Sequence, residues 1–178
     1  MTTETEEIDM TSLTLTPTES VKVRTSTPEV IEVEVTYGPG SRRPPAHLHP
    51  HQDESFQVLS GTIGVRIDGE ERVHGPGEAF EVPRGAVHQM WNPGNEPARA
   101  IWQTRPARRT REWFGELDAA QRAGNTDRNG MPGPLVMGVL LTRYSDEFRL
   151  AARPRSLVRA ALAFLSVAGL LRGYGRAG

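Results

Sequence analysis

The sequence of 178 residues contains no cysteine. This absence excludes disulfide bonds, thiolate nucleophiles and thiolate metal ligands. It is also typical of proteins kept in a reducing compartment. The opening segment MTTETEEIDM is acidic and polar, and it lacks the basic start and apolar stretch of a secretory signal. We therefore expect a cytoplasmic protein.

Lysine is almost as scarce, since Lys22 is the only one and arginine carries the remaining positive charge. The formal net charge is only −1, so no overall basic excess indicates a nucleic-acid partner. The sequence also lacks an apolar run of the roughly 20 residues needed to cross a bilayer. We expect neither nucleic-acid binding nor a membrane span.

Three segments differ in composition and periodicity. Residues 1–20 hold five acidic residues and no basic one, and they predict a flexible N-terminal arm. Residues 21–106 have β-type periodicity, and residues 107–178 have helical periodicity and a marked excess of arginine. We expect a β domain followed by a C-terminal helical region.

The β pattern consists of short apolar alternations separated by turn residues. VIEVEVTYG, at 30–38, places apolar residues on every second position, as a half-buried strand does. Asp68-Gly69 lies between two further alternating segments and predicts a tight hairpin. With 14 prolines and 18 glycines in the chain, this spacing predicts a mainly β, antiparallel barrel or jelly roll.

Three helices are predicted in the C-terminal region, at 107–124, 134–151 and 155–175. The third contains the apolar stretch AALAFLSVAGLL, which has 12 residues and is too short to span a bilayer. We expect this helix to be buried against the β domain or across a dimer interface. A membrane-surface helix is the less favoured alternative, because no clear charged face is evident.

The residues most suggestive of chemistry lie in AHLHPHQDES, at 46–55. His47, His49 and His51 alternate, so on a strand they would share one face, and Glu54 follows shortly after. Imidazole and carboxylate together suit a divalent transition metal. A further ligand is needed from elsewhere, and His88 is a better candidate than His74, which lies at a turn.

Two segments resemble the conserved motifs of the cupin superfamily. GSRRPPAHLHPHQDESFQVLSG, at 40–61, resembles the first motif, although its spacer between Gly40 and His47 is one residue longer than usual. GEAFEVPRGAVHQMWN, at 77–92, resembles the second motif without a gap. Its matching positions are Gly77, Pro83, Gly85, His88 and Asn92. The resemblance implies a cupin-type β-barrel with a C-terminal helical extension.

The resemblance also implies a ligand set of His47, His49, Glu54 and His88. His51 is then a residue of the pocket mouth, and Pro50 allows it to leave the pleat of the strand. The expected cofactor is one divalent transition metal, namely Fe, Mn, Ni, Co, Cu or Zn. Similar cupins commonly pair through their β-sheets, which implies a homodimer.

For function, the resemblance implies a quercetinase-like dioxygenase acting on an enolic or aromatic small molecule, with Glu54 as the catalytic base. Two alternatives stay open: a metal-dependent lyase or isomerase of small acids or sugars, and a non-catalytic ligand-binding cupin. Few basic or tyrosine residues lie near the motifs, which favours a fairly apolar substrate. The candidate pocket residues are His51, Phe56, Val58, Met90 and Gln103.

Overall fold

The β domain consists of two antiparallel sheets around one apolar core, in a computed structural model that describes residues 12–127, 130–152 and 154–174. One sheet has six strands in the order β1-β2-β3-β10-β5-β8, and the other has five in the order β11-β4-β9-β6-β7. This architecture confirms the predicted mainly β, cupin-type fold with a C-terminal helical extension, although the two sheets do not close into a continuous barrel.

The strands are short and most alternate between buried and exposed side chains. Their bounds are β1 Ser12–Thr16, β2 Glu19–Ser26, β3 Ile31–Tyr37, β4 His47–Leu48, β5 Asp53–Ser60, β6 Ile63–Ile67, β7 Glu70–His74, β8 Ala79–Val82, β9 His88–Trp91, β10 Ala98–Arg105 and β11 Arg149–Leu150.

The hairpin between β6 and β7 is formed by the turn residues that the sequence singled out. Asp68 and Gly69 both have positive φ, at 47° and 96°, and Ile67 pairs with Glu70 across the turn. Two successive positive φ values are typical of the turns that match the twist of antiparallel strands. The predicted Asp-Gly hairpin is therefore confirmed.

Gly61, the last glycine of the first motif, is required by a close backbone approach. Its φ is 69°, and a Cβ atom at this position would lie 2.6 Å from the Pro97 carbonyl oxygen. Only glycine avoids both the strained conformation and the clash. This turn sets the start of β6, which runs beside the strand that carries His88.

The helical region contains the three predicted helices: α1 Thr110–Arg122, α2 Pro134–Arg143 and α3 Arg155–Leu171. The second is shorter than expected, because the apolar pattern gives way to the turn-forming residues Ser145 and Asp146. The chain then forms β11, which pairs with β4 and places Leu150 opposite His47. A part of the helical region thus returns to the β domain.

The third helix is more exposed to solvent than the sequence predicted. It packs on α2, but of its residues only Ser166 and Gly169 are buried, and its other face is exposed. Among the described residues, no helix is long and apolar enough to cross a membrane.

Part of the predicted N-terminal arm belongs to the sheet. Ser12–Thr16 forms β1, which pairs with β2 and packs against α1. Leu15 is buried in the core, and the backbone N–H of Thr14 donates to the Asp118 carboxylate of α1. These contacts with a helix about 100 residues away explain why composition alone indicated a loose segment. Residues 1–11 of the predicted arm lie outside the described residues.

Candidate metal centre

Three short strands bring the predicted ligands together. His47 begins β4 and pairs directly with His88, the first residue of β9, and His49 follows β4 by one position. The turn before β9 contains Gly85, with φ 81°, whose N–H donates to the His49 carbonyl oxygen at 2.8 Å. The turn residues of the second motif therefore fix the backbone of both histidine segments.

The three imidazoles form a compact group into which Glu54 of β5 projects. One ring nitrogen from each of His47, His49 and His88 lies within 4.8 Å of the others. The Glu54 carboxylate lies against two of these rings, 3.4 Å from His49 Nε2 and 3.3 Å from His88 Nε2. His47, Glu54 and His88 are buried, so this cluster is largely withdrawn from water.

Each imidazole is oriented by a backbone carbonyl. The Nδ1 atoms of His47, His49 and His88 contact the carbonyl oxygens of Pro45, Glu147 and Ala86 at 2.9, 2.5 and 3.1 Å. An Nδ1–H donated to a carbonyl leaves the Nε2 lone pair free, which is the arrangement of metal-ligating histidines. The rings are held so that Nε2 is the atom available to the cluster.

The carboxylate of Glu54 is held by one oxygen and free at the other. Trp102 Nε1 donates to Oε1 at 3.0 Å, whereas buried Oε2 has no well-formed hydrogen bond. Burial raises the pKa of Glu54, but the charges of His49 and His88, with the contact to His88, outweigh burial and lower the pKa to about 2. Glu54 is therefore ionised at neutral pH.

The histidine pKa values move in opposite directions. Burial and the neighbouring His88 and His49 hold the pKa of His47 well below its usual value, so this ring is neutral at pH 7. Burial lowers the pKa of His88, but Glu54 outweighs burial and raises it. A proton on His88 Nε2 and a divalent cation need the same lone pair, so either can neutralise Glu54.

The donor set fits a divalent metal. His88 Nε2 and Glu54 Oε2 are buried and neither makes a well-formed hydrogen bond, although they lie only 3.3 Å apart. Unsatisfied buried polar atoms are costly, and a cation between two lone-pair donors removes that cost. Three imidazole nitrogens and one carboxylate oxygen suit Mn, Fe, Co, Ni, Cu and Zn, and do not select among them.

The cluster forms one wall of a cavity of about 190 Å³. Strands supply Tyr37, Met90 and Trp102, and α1 and α2 supply further apolar side chains. No lysine or arginine occurs among the described residues that line it. The apolar helix-region residues that line it are Trp113, Phe114, Leu117, Met131, Pro132, Met137, Leu141, Phe148 and Leu150, and the polar ones are Thr110 and Glu147.

Of the five predicted pocket residues, the structure brings only Met90 to the cavity wall. Phe56 and Val58 share the inward face of Glu54 but are fully buried in the core, where Phe56 stacks between Phe80 and Trp102. Gln103 faces away from the core and donates to Glu32. His51 is half exposed, and its Nε2 lies 4.0 Å from Asp146.

Sequence reasoning missed the contribution of residues 147 and 148. Besides its carbonyl contact to His49, Glu147 is buried and accepts hydrogen bonds from Arg109. Phe148 stacks on His47 at 4.4 Å and on Trp113 at 5.2 Å, between ring centroids. No spacing rule links these residues to the motifs, because the connection is made only by the pairing of β11 with β4.

Two further polar groups line the cavity. Glu19 and Tyr37 are directly paired across β2 and β3 and share a hydrogen bond. Gln52 donates through Nε2 to Pro106, Ala107 and Thr110, and its buried Oε1 has no hydrogen-bond partner. These groups give the mainly apolar cavity a few polar positions beyond the cluster.

Residues 33–104 match the family model described as cupin domain. Among curated proteins, an 88-residue stretch is 33% identical to the tetracenomycin polyketide synthase protein TcmJ of Streptomyces glaucescens, covering 49% of this chain and 52% of that protein. A 75-residue stretch is 35% identical to oxalate oxidase 1 of Hordeum vulgare, covering 38% and 37%. The chain thus spans about half or less of the length of these relatives.

Solved structures agree with the fold. KdgF from Halomonas sp. superposes with a TM-score of 0.52 at 24% identity, over 57% of this chain and 92% of that one. An RmlC-like cupin from Shewanella frigidimarina gives a TM-score of 0.51 at 22% identity, over 57% and 88%. At these identities the likeness concerns the fold alone. The structures therefore show the cupin-type fold, and residues 33–104 in addition match the cupin domain model in sequence.

Proposed function

We propose that this chain is a metal-dependent, quercetinase-like oxygenase that acts on a small enolic or aromatic molecule. The observation that carries this proposal is a cluster of three imidazoles and one carboxylate on the wall of an apolar, aromatic-lined cavity. Such a cavity combines a redox-capable ligand set with surroundings that favour an apolar substrate.

In this proposal His47, His49 and His88 hold the metal through Nε2, and Glu54 holds it through Oε2. Four protein ligands leave one or two coordination positions open. When bound, a redox-capable divalent metal supplies Lewis-acid activation of a hydroxyl or enol oxygen and a route for electrons to dioxygen.

Glu54 is the residue we assign to proton transfer. Because Trp102 holds Oε1, the free Oε2 is the atom placed to accept a proton from a substrate hydroxyl or enol. A carboxylate near a metal can alternate between ligand and proton acceptor. Trp102 then acts as a positioning residue that keeps the second oxygen directed into the cluster.

The cavity favours a compact substrate. Trp102, Trp113, Phe114 and Phe148 line it with apolar ring surface, and a substrate that displaces water from such a cavity strengthens the electrostatic interactions inside. An engineered cavity of about 150 Å³ accommodates benzene, so about 190 Å³ suits a single substituted ring. We therefore favour a one-ring substrate over a three-ring flavonol.

The alternative of a lyase or isomerase of small acids or sugars has less support. Phosphate and carboxylate groups are usually bound by arginine or lysine, and the charged residues in the described lining are Glu19, Glu54 and Glu147 apart from the histidines. Glu147 is paired with Arg109, but a carboxylate or phosphate would meet Glu19 and Glu54 with no lysine or arginine in the described lining. A non-catalytic binding role is the second alternative and is separated by the experiment below.

Two of the relatives are named for oxidative chemistry. One is an oxalate oxidase, another is oxidoreductase AOL_s00215g277 of Arthrobotrys oligospora, 33% identical over 82 residues, and a third is named for a polyketide synthase. The first two names are consistent with an oxidoreductase, whereas the mannose-1-phosphate guanylyltransferase of Escherichia coli, 39% identical over 54 residues, is named for a different reaction. The substrate is therefore left to experiment.

The test is oxygen uptake by protein reconstituted in turn with Mn, Fe, Co, Ni, Cu and Zn, screened against monocyclic enols, catechols and diketones. We expect metal-dependent uptake with at least one substrate, reduced by about 100-fold or more in Glu54→Gln and unchanged in His51→Ala. Substrate-induced thermal stabilisation without turnover would instead indicate a binding protein. Turnover without oxygen consumption would indicate the lyase or isomerase alternative.

A further inference from the structure

Helix α3 is apolar on two opposite faces. One face packs closely on α2, where a Cβ at Gly138 would lie 2.5 Å from Leu165 Cβ and one at Gly169 would lie 2.8 Å from the Leu135 carbonyl oxygen. These glycines let the two helices approach closely. An apolar helix face is ordinarily buried, so the second face needs an explanation.

The second face exposes large apolar side chains to solvent. Leu157, Phe164, Val167 and Leu171 are 67%, 74%, 59% and 84% exposed. Of the seven large hydrophobic residues that are exposed among the described residues, five lie on this one helix. The other two, Leu59 and Val73, lie on strands of the β domain. Scattered exposed residues are ordinary, whereas a contiguous patch marks an interaction surface.

The spacing of this face is that of a helix-pairing seam. Leu157, Phe164 and Leu171 are seven residues apart, and Ala160 and Val167 lie between them in three-four alternation. This is the spacing by which two helices interdigitate. The small side chain of Ala160 permits a close approach of a partner helix. We call these five residues the α3 seam.

The charges around the seam favour a protein partner over a lipid surface. A helix lying on a membrane needs basic side chains beside its apolar face. At about 100° per residue, Arg155 and Arg159 lie roughly 160° to 200° around the helix from Leu157, on the opposite side. Among the described residues, Arg172 at the C-cap is the single basic residue beside the seam, at roughly 60° from Leu157. The seam itself carries no charge, so a second copy meets it without burying an arginine.

The exposed area is sufficient for self-association. With on the order of 100 Å² exposed by each large side chain, the face presents roughly 500 Å². If they are buried completely, two such faces remove about 1,000 Å² in total from water, which is the threshold for a biological interface and below the roughly 1,200–2,000 Å² of stable ones. We therefore expect weak, concentration-dependent pairing.

We propose that the α3 seam is a self-association surface through which two copies of this chain pair helix against helix. This pairing differs from the sheet-to-sheet pairing implied by the cupin resemblance, and it does not depend on the proposed enzymatic function. Because α2 supports α3 and also lines the cavity with Met137 and Leu141, the dimer would brace the helical wall of the cavity.

The test is the oligomeric state of the full chain by sedimentation velocity over a range of concentrations. The variant is Phe164→Glu with Leu171→Glu, and the matched control is Val73→Glu, an exposed apolar residue of β7 that is 57% exposed. We expect dimers for the wild type and the control, and at least a 10-fold weaker association for the seam variant. Because both seam residues are exposed, the circular dichroism spectrum of the variant should match the wild type.

Three outcomes would overturn the proposal. The first is a wild-type monomer at all concentrations, and the second is a dimer that survives in the seam variant. The third is a monomer that co-sediments with phosphatidylglycerol vesicles and loses this binding in the seam variant, which would assign the face to a lipid surface. If the dimer survives in the seam variant but is lost in Val73→Glu, the two copies pair through the sheet and the proposal is likewise overturned.

Discussion

The cavity has two walls that differ in origin and in what they contribute. The strand wall carries the four candidate ligands, each fixed by a short backbone contact or by Trp102. The helix wall, formed by α1, α2 and the segment around Phe148, carries mainly apolar side chains. The comparison teaches that the strands supply the groups suited to hold an ion, whereas the helices limit what else fits beside them.

The largest expected effect comes from a substitution in the helix wall. Phe114 is fully buried on α1 and packs on Trp102 with ring centroids 5.1 Å apart. Phe114→Ala should lower the free energy of unfolding by about 3–5 kcal/mol, because it leaves a large void beside the cavity. Chemical denaturation measures the loss. Val73→Ala, at an exposed position, should change it by less than about 0.5 kcal/mol.

A second variant changes only the strand wall, at the hydrogen bond that holds the ligand Glu54. Trp102→Phe keeps an aromatic ring but removes the N–H that holds Glu54 Oε1. Removal of such a supporting contact typically weakens metal binding by about 10–100-fold, and a competition titration with a chelator would measure it. Trp91→Phe is the matched control, since Trp91 is also buried but packs on Gly64 and Arg43. Equal losses in both variants would contradict the role given to Trp102.

A smaller effect concerns Glu19 on the strand wall. Burial raises the pKa of Glu19 to about 7 from its usual 4.5; the hydrogen bond from Tyr37 opposes this shift, and the charge of Glu54 adds to it. Between these pH values the folded state binds more protons at Glu19 than the unfolded state does. The contribution of Glu19 to the free energy of unfolding therefore falls as pH rises from about 4.5 to 7.

Glu19→Gln should remove that contribution. The difference in Tm between wild type and variant should change in favour of the variant as pH rises through this window, and should be flat below it. Thermal unfolding at half-unit pH steps measures the difference. A constant difference over the whole range would mean that Glu19 titrates in the folded protein as it does in the unfolded chain.

The strand wall was largely predictable from the sequence, and the helix wall was not. The cupin resemblance implied His47, His49, Glu54 and His88. The first three lie on β4, β5 and the short turn between them, and His88 follows the turn of Gly85 into β9, which pairs with β4. Phe148 and Glu147 reach the cluster only because the chain turns back after α2 and pairs with β4. That return depends on tertiary contacts, which no sequence period encodes.

The predictions of pocket residues also failed where the answer depends on tertiary packing. Alternation correctly placed Phe56 and Val58 on the inward face, but it cannot tell a core position from a cavity wall. Gln103 lies on the outward face of β10, where it bonds Glu32. Which residues line the cavity depends on which helix covers which strand. The apolar spacing of α1 predicted a helix, but it did not predict where that helix packs on the sheets.

The most direct test of the central claim is metal content. Wild-type protein, His88→Ala and the control His51→Ala would be stripped, reconstituted with each candidate metal, desalted and measured by elemental analysis. We predict about one equivalent in the wild type and in His51→Ala, and at least a 100-fold lower affinity in His88→Ala. Equal retention by all three proteins, or no binding of any metal by the wild type, would contradict the four-ligand site.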